Sequence, residues 1–201
     1  MDADMMKSLT EEVEKKRERN RQKEQNKQFG VAVQNAVGQY LREKGFDVQL
    51  IDYGFDLDVS VPEKEFSLEN FSYSFGVADS YLVEVKATTI GEVKLTSKQA
   101  ETASTKPEQF VLCVVDLSEF DGAPHNHDWT TKDIEPLARV VKSIGQRVSE
   151  SWEYVDLLTK EDNEVRITEE RKLRYDVSPE LWEEGVSIKQ WTEEIKPGSP
   201  E

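Results

Sequence analysis

The sequence predicts an α/β domain, with α+β as the alternative, built on one sheet flanked by helices. Three observations predict it. Residues 29–45 show helical periodicity and are followed by short alternating segments. A helix-start signal near residue 96 separates two strand-like runs. The second of these, QFVLCVVDL, is almost wholly apolar, as a strand covered on both faces must be.

Composition sets the scale. With 201 residues and 36% hydrophobic content, the chain can bury one core. We divide it into a charged N-terminal helix or linker (1–28), a domain (29–195) and a disordered tail (196–201). No apolar run of 18 residues occurs, and the N-terminus lacks a signal peptide's apolar stretch. The expectation is a soluble, intracellular protein, cytoplasmic or nucleoid-associated, without a membrane partner. The single cysteine, Cys113, lies in the apolar run and reads as a small buried hydrophobe, so no disulfide forms within one chain. A net charge of -15 argues against a uniformly basic nucleic-acid surface but leaves room for a local basic cleft.

Taken in order, Ser8 and Glu11 have capping-box spacing and predict a helix start. Lys15 to Lys27 then holds seven Lys/Arg against two Glu, the one basic block in an acidic chain. It reads as a solvated helical face, a linker, or a contact for nucleic-acid phosphates. Phe29, Val33, Ala36, Val37, Tyr40 and Leu41 recur at core-helix spacing, and Gly45 ends the run. FDVQLIDYGFDLDVSV reads as two strands around a turn near Tyr53 and Gly54. Residues 63–79 read as a long loop or a bulged strand. YLVEVKATT is a strand and IGEVKL a turn with a short strand; Thr96 or Ser97 caps a helix over SKQAETAS. Beyond Ser118, DGAPHNHDWT is loop, ARVV a strand, IGQRVSESWEYVDLL helical, VRITEERKLRYDV a strand or hairpin, and SPELWEEG and SIKQWTEEI short helices.

The strand YLVEVKATT raises the chemical question. Alternation puts Val83, Val85 and Ala87 on a core face and Leu82, Glu84 and Lys86 on the other, with Glu84 and Lys86 about 7 Å apart. A Glu-x-Lys triplet alone is weak. Upstream, however, Asp56 and Asp58 share one face of a strand, and an antiparallel pairing brings an Asp beside Glu84. Two such carboxylates need a proton or a cation between them. A hard cation such as Mg²⁺ takes one or two carboxylates, a carbonyl and waters, and the Val85 carbonyl is a natural third ligand. Lys86 then holds a water or offsets charge developing at phosphorus.

Gly54-Phe55-Asp56, then Glu84-Val85-Lys86, then Leu95-Thr96-Ser97-Lys98-Gln99, then the apolar strand Phe110 to Val115 resembles, in order and spacing, the PD-(D/E)XK nuclease superfamily, with closest likeness to the NO VEIN C-terminal domain family. The resemblance covers residues 29–117 well and the remainder loosely. It implies a restriction-endonuclease-like mixed sheet flanked by helices, and a metal-dependent, DNA endonuclease-like phosphodiesterase of restriction, phage defence or DNA repair. Asp56 and Glu84 would ligate Mg²⁺, with Mn²⁺ as substitute; Lys86 would be the catalytic lysine, and Gln99 would lie near the site. Asp58 is a second acidic candidate. Where many relatives carry a supporting Glu on the first core helix, this chain has Gln34, a poorer cation ligand. DNA is the implied partner, with a homodimer or a larger defence or repair complex as further settings.

Phosphate contacts are expected from Arg17, Arg19, Arg21 and Lys23 of the basic block, and from Lys86, Lys94 and Lys98. His125 and His127 have a His-x-His-Asp spacing but no further Cys or His to complete a metal site, so a surface loop is preferred. Trp129, Trp152, Trp182, Trp191, Tyr154 and Tyr175 read as core or interface residues, with base stacking as the lesser reading. Two other functions keep the fold and drop the chemistry: a recognition module shaped like a nuclease, and an assembly domain whose N-terminal helix pairs with another subunit.

Overall fold

The computed structural model describes residues 3–51, 53–62, 65–68, 71–74, 80–151 and 174–196. A single helix, α1 (Ala3–Glu43), runs without a break across the basic block into the core. It starts ahead of Ser8, which therefore lies inside the helix and is not its cap. Residues 11–28 are exposed on every side, whereas Val33, Val37, Tyr40 and Leu41 are buried. Gly45, at φ +95°, ends the helix in the left-handed conformation, and Phe46 N–H returns to the Leu41 carbonyl at 3.2 Å.

The main sheet has six strands in the order β1-β2-β5-β7-β8-β10. They are β1 (Asp47–Leu50), β2 (Leu57–Ser60), β5 (Ser80–Thr88), β7 (Phe110–Asp116), β8 (Ala138–Val141) and β10 (Val186–Ser187). Every pair is antiparallel except β5 with β7, which run parallel from Leu82↔Phe110 to Thr88↔Asp116. That parallel pair is joined through β6 (Val93–Thr96) and α2 (Ser97–Thr105), as a parallel connection requires. β7 is buried along all but its last residue, matching its unbroken apolar sequence. The molecule is thus an α/β protein, a mixed sheet flanked by helices.

Two cores lie on opposite faces of the sheet. On one, Val83, Val85, Val111 and Cys113 pack with α1. On the other, Leu82, Leu112 and Val114 pack with Ala100 and Ala103 of α2 and with Trp182. Trp129, Trp182 and Trp191 are all buried. Burial pushes the Cys113 thiol up to about 12, with the Asp56 charge adding to the effect, so it is an inert core residue.

Three elements differ from expectation. The 63–79 segment contains a hairpin, β3 (Glu65–Leu68) with β4 (Phe71–Ser74), where a loop or bulged strand was expected. The short helix α3 (Thr131–Leu137) was not anticipated, because Pro136 lies inside it. Within the C-terminal segment β9 (Arg174–Val177) pairs with distant β6. A helix over 144–151 (α4), α5 (Pro179–Glu183) and α6 (Ile188–Glu194) agree with the sequence reading; Trp152, Tyr154, the start of the expected 165–177 strand and the 197–201 tail lie outside the described residues.

Candidate active site

β2 and β5 are in antiparallel register through Leu57↔Val83, and beyond that pair the ladder gives way to side chains. Asp56 N–H donates to the Val83 carbonyl at 3.1 Å, while the Val85 N–H is taken by Asp56 Oδ2 at 2.8 Å. A carboxylate therefore stands where the next strand carbonyl would otherwise be. In a strand the N–H and C=O of one residue share an edge, so the Val85 carbonyl also faces the Asp56 side. Asp56 is aimed there by its turn. Gly54 adopts φ +82°, a conformation that favours glycine, and a Cβ there would also crowd the Thr102 hydroxyl of α2.

Glu84 is fully buried, with 0% exposure. Its Oε1 accepts from Lys86 Nζ at 2.7 Å and from the Gln99 side-chain amide. Its Oε2 is buried and receives no N–H or O–H donor among the described residues, while the neighbouring Asp56 carboxyl is close enough to share a proton with Glu84. Burial raises the Glu84 pKa to about 8; Lys86 opposes that rise and Asp56 adds to it. The carboxylate is thus poised to hold a proton or to surrender that place to a cation.

Gln99 is held from both sides. Thr96 is the N-cap of α2, and its hydroxyl accepts from Gln99 N–H at 3.3 Å. Gln99 Oε1 returns to Thr96 N–H at 2.8 Å and also receives Lys86 Nζ at 3.4 Å. One side chain therefore closes the capping box and orients both Glu84 and Lys86. Lys86 keeps a quarter of its side chain exposed, enough to reach a ligand entering from solvent. From α1, Gln34 Nε2 donates to the Asp56 backbone carbonyl at 3.2 Å, so it steadies Asp56 through the main chain.

The structure thus brings together Asp56, Glu84, Lys86, Gln99, Gln34 and the Val85 main chain. Asp58 shares their side of the sheet, opposite Leu82, but among the described residues no hydrogen bond or ion pair ties it to the cluster. Lys98 lies on the first turn of α2, paired with Glu101 at 2.9 Å and over the Tyr53 ring at 4.6 Å. Lys94 is paired with Glu92 at 3.3 Å and Asp176 at 3.4 Å. Both are exposed pairs, which cost little to exchange for phosphate. Arg17, Arg19, Arg21 and Lys23 lie on the exposed part of α1, along the helix from the cluster. Sequence reasoning missed how Gln34 acts, because its amide meets a carbonyl and not a carboxylate.

The buried donor-free oxygen of Glu84, the neighbouring Asp56 carboxylate and a main-chain carbonyl on the same edge fit a small hard cation completing its shell with water. Among the described residues no group of three or more His, Cys, Asp and Glu is assembled, so a cation here would rest on two carboxylates, main-chain oxygen and water. His125 and His127 sit in an aromatic knot with Phe29, Phe120 and Trp129, and His127 faces Asp133 at 3.2 Å. Among the described residues no helix is long and apolar enough to cross a membrane. Comparison of the chain with family models, with curated proteins and with solved structures finds no match.

Proposed function

We propose that the chain is a metal-dependent phosphodiesterase of the PD-(D/E)XK kind, acting on DNA in restriction, defence or repair. One observation carries the reading: a fully buried Glu84 with an oxygen that receives no donor, flanked by Asp56 and Lys86 at the point where the β2–β5 ladder opens. Burying an acid in a central strand costs several kcal/mol unless partners or a cation offset it, so a fully buried Glu84 points to a functional site. Asp56 and Glu84 supply the carboxylates, and the Val85 carbonyl the third oxygen, for Mg²⁺ or Mn²⁺. The ion, when bound, supplies Lewis-acid assistance at a phosphoryl oxygen. Lys86 Nζ, oriented by Gln99, steadies an attacking water or offsets the charge that grows on the phosphorus centre. Lys94 and Lys98, exposed in surface ion pairs that exchange readily, would supply further phosphate contacts.

The test is incubation of plasmid and of linear single- and double-stranded DNA with the protein in Mg²⁺ or Mn²⁺, beside Glu84→Ala and Lys86→Ala proteins. Cleavage that needs the ion and disappears in both variants is the expected result. Cleavage retained by Lys86→Ala would overturn the assignment. A recognition module of the same shape is the second reading, favoured because Gln34 spends its amide on a backbone carbonyl and adds no third carboxylate. DNA binding with no cleavage in either ion would select it.

A further inference from the structure

The seven basic residues between Lys15 and Lys27 are not spread evenly around α1. At about 100° per residue, Lys16 lies in line with Gln34, about five turns away, and Lys23 and Lys27 fall within about 20° of the same line. Arg19 stands about 60° off it. Arg17 and Arg21 are about 100° and 140° away, and the intervening acids Glu18 and Glu24 about 160° and 80°. Gln34 of α1 donates to the Asp56 main-chain carbonyl, so this line runs toward the Asp56 end of the candidate site from the sheet face opposite α2. Lys15, Lys16, Arg19 and Lys23 also line a common hollow on the helix flank, together with Glu12, Val13 and Asn20.

Two further observations bear on the occupant. Among the described residues, Arg21 is the one member of the block with an ion pair, to Glu18 at 3.3 Å; Glu12, about 40° from the line, is the acid nearest to it and is in no ion pair there. The helix is also braced from another side. His125 Nε2 meets Asn26 Oδ1 at 2.9 Å, and Phe29, about 140° from the line, packs against His125 and Trp129. The brace leaves the basic line open.

We propose that Lys16, Arg19, Lys23 and Lys27 form a phosphate rail that carries a nucleic-acid strand along α1 toward Asp56 and Glu84. The inference rests on the nucleic-acid reading of that site and sharpens which cations serve it. A second copy is a poor occupant, because residues 11–28 contain one apolar residue, Val13, and offer no seam for a coiled coil. A membrane is a poor occupant for the same reason, since an interfacial helix needs an apolar face opposite its cations. A polyanion needs neither. The four cations step along about 17 Å of helix, spaced to meet successive phosphates. Because the rest of the chain is strongly acidic, a rail projecting from it also holds a strand clear of the body's repulsion.

The experiment measures binding by fluorescence anisotropy in EDTA, so that no cleavage is needed, across a salt series. It uses a single strand of about 30 nucleotides, long enough to cover the whole basic line. On this strand, the Lys16→Gln, Arg19→Gln, Lys23→Gln, Lys27→Gln protein should lower the log K against log salt slope by about 3, at about 0.7 per lost contact. Arg17→Gln with Arg21→Gln should leave the slope unchanged. An unchanged slope in the fourfold variant, an equal fall in the Arg17/Arg21 control, or no binding by the parent would overturn the rail. A slope difference in a protein that never cleaves in Mg²⁺ would instead remove the nuclease reading and keep the rail.

Discussion

On one face of β5, Val83 and Val85 meet α1 in an apolar layer; on the other, Leu82 is followed by Glu84 and Lys86 beneath α2. The same nine-residue strand supplies both, and the alternation of side chains keeps them apart. The α1 face stabilises by excluding water. The α2 face places an acid where water is equally excluded and then leaves one of its oxygens without a donor. Stability and function are therefore separable by face, and mutations should separate them.

The largest effect belongs to the apolar face. Leu41 is fully buried in the α1 core, so Leu41→Ala should cost about 2–5 kcal/mol in chemical denaturation. Whatever cleavage the remaining folded protein shows should be near that of the parent. Lys86→Ala should do the reverse, lowering cleavage by about 10²–10³-fold, near 3 kcal/mol of barrier, with the denaturation midpoint little changed. If both substitutions moved both readouts together, the division between faces would not hold.

The buried acid sharpens the comparison through pH. The Glu84 pKa rises from 4.5 to about 8 on folding, chiefly by burial. Between those values the folded protein keeps a proton that the unfolded chain has released. The stabilising contribution is therefore complete below about pH 4.5 and is lost as pH rises to about 8, by at most about 1.4 kcal/mol per unit. Glu84→Gln should flatten this slope in EDTA. Saturating Mg²⁺ should flatten it in the parent, because the ion takes the place of the proton. A parent slope identical to that of Glu84→Gln would mean that Glu84 is not the group that titrates.

How much of this was legible in the sequence follows the same division. The period-2 alternation of YLVEVKATT fixes which side chains share a face, and the observed cores follow it. Thr96 and Gln99 announce the α2 cap through local spacing alone, and the structure forms it. The union of Asp56 with Glu84 needed the antiparallel register, and the order of the Gly-Phe-Asp and Glu-Val-Lys segments suggested it. What stayed hidden was non-local or locally contradictory. β6 and β9 pair across some 80 residues, and nothing in VKLT names RYDV as its partner. α3 carries Pro136, which argues against a helix, yet Thr130 N–H bonded to Asp133 Oδ2 at 2.8 Å holds its first turn. The extent of α1 was masked because a helix polar all round shows no amphipathic period.

The smallest effect tests the one residue that belongs to both structure and site. Thr96→Ala removes the hydroxyl that caps Gln99 N–H and should cost about 1 kcal/mol. The Thr96 main-chain N–H still holds Gln99 Oε1, so Glu84 and Lys86 keep their orientation, and cleavage should stay within about twofold of the parent. Gln99→Ala removes the reciprocal half of the box, for a stability loss of similar size, but it also withdraws the amide from Glu84 and the acceptor from Lys86. Cleavage should then fall by about tenfold or more. The pair is informative because the stability losses match while the site does not. If Thr96→Ala and Gln99→Ala lowered cleavage equally, Gln99 would act only as a helix cap, and the orientation of Lys86 would have to come from elsewhere on the α2 face.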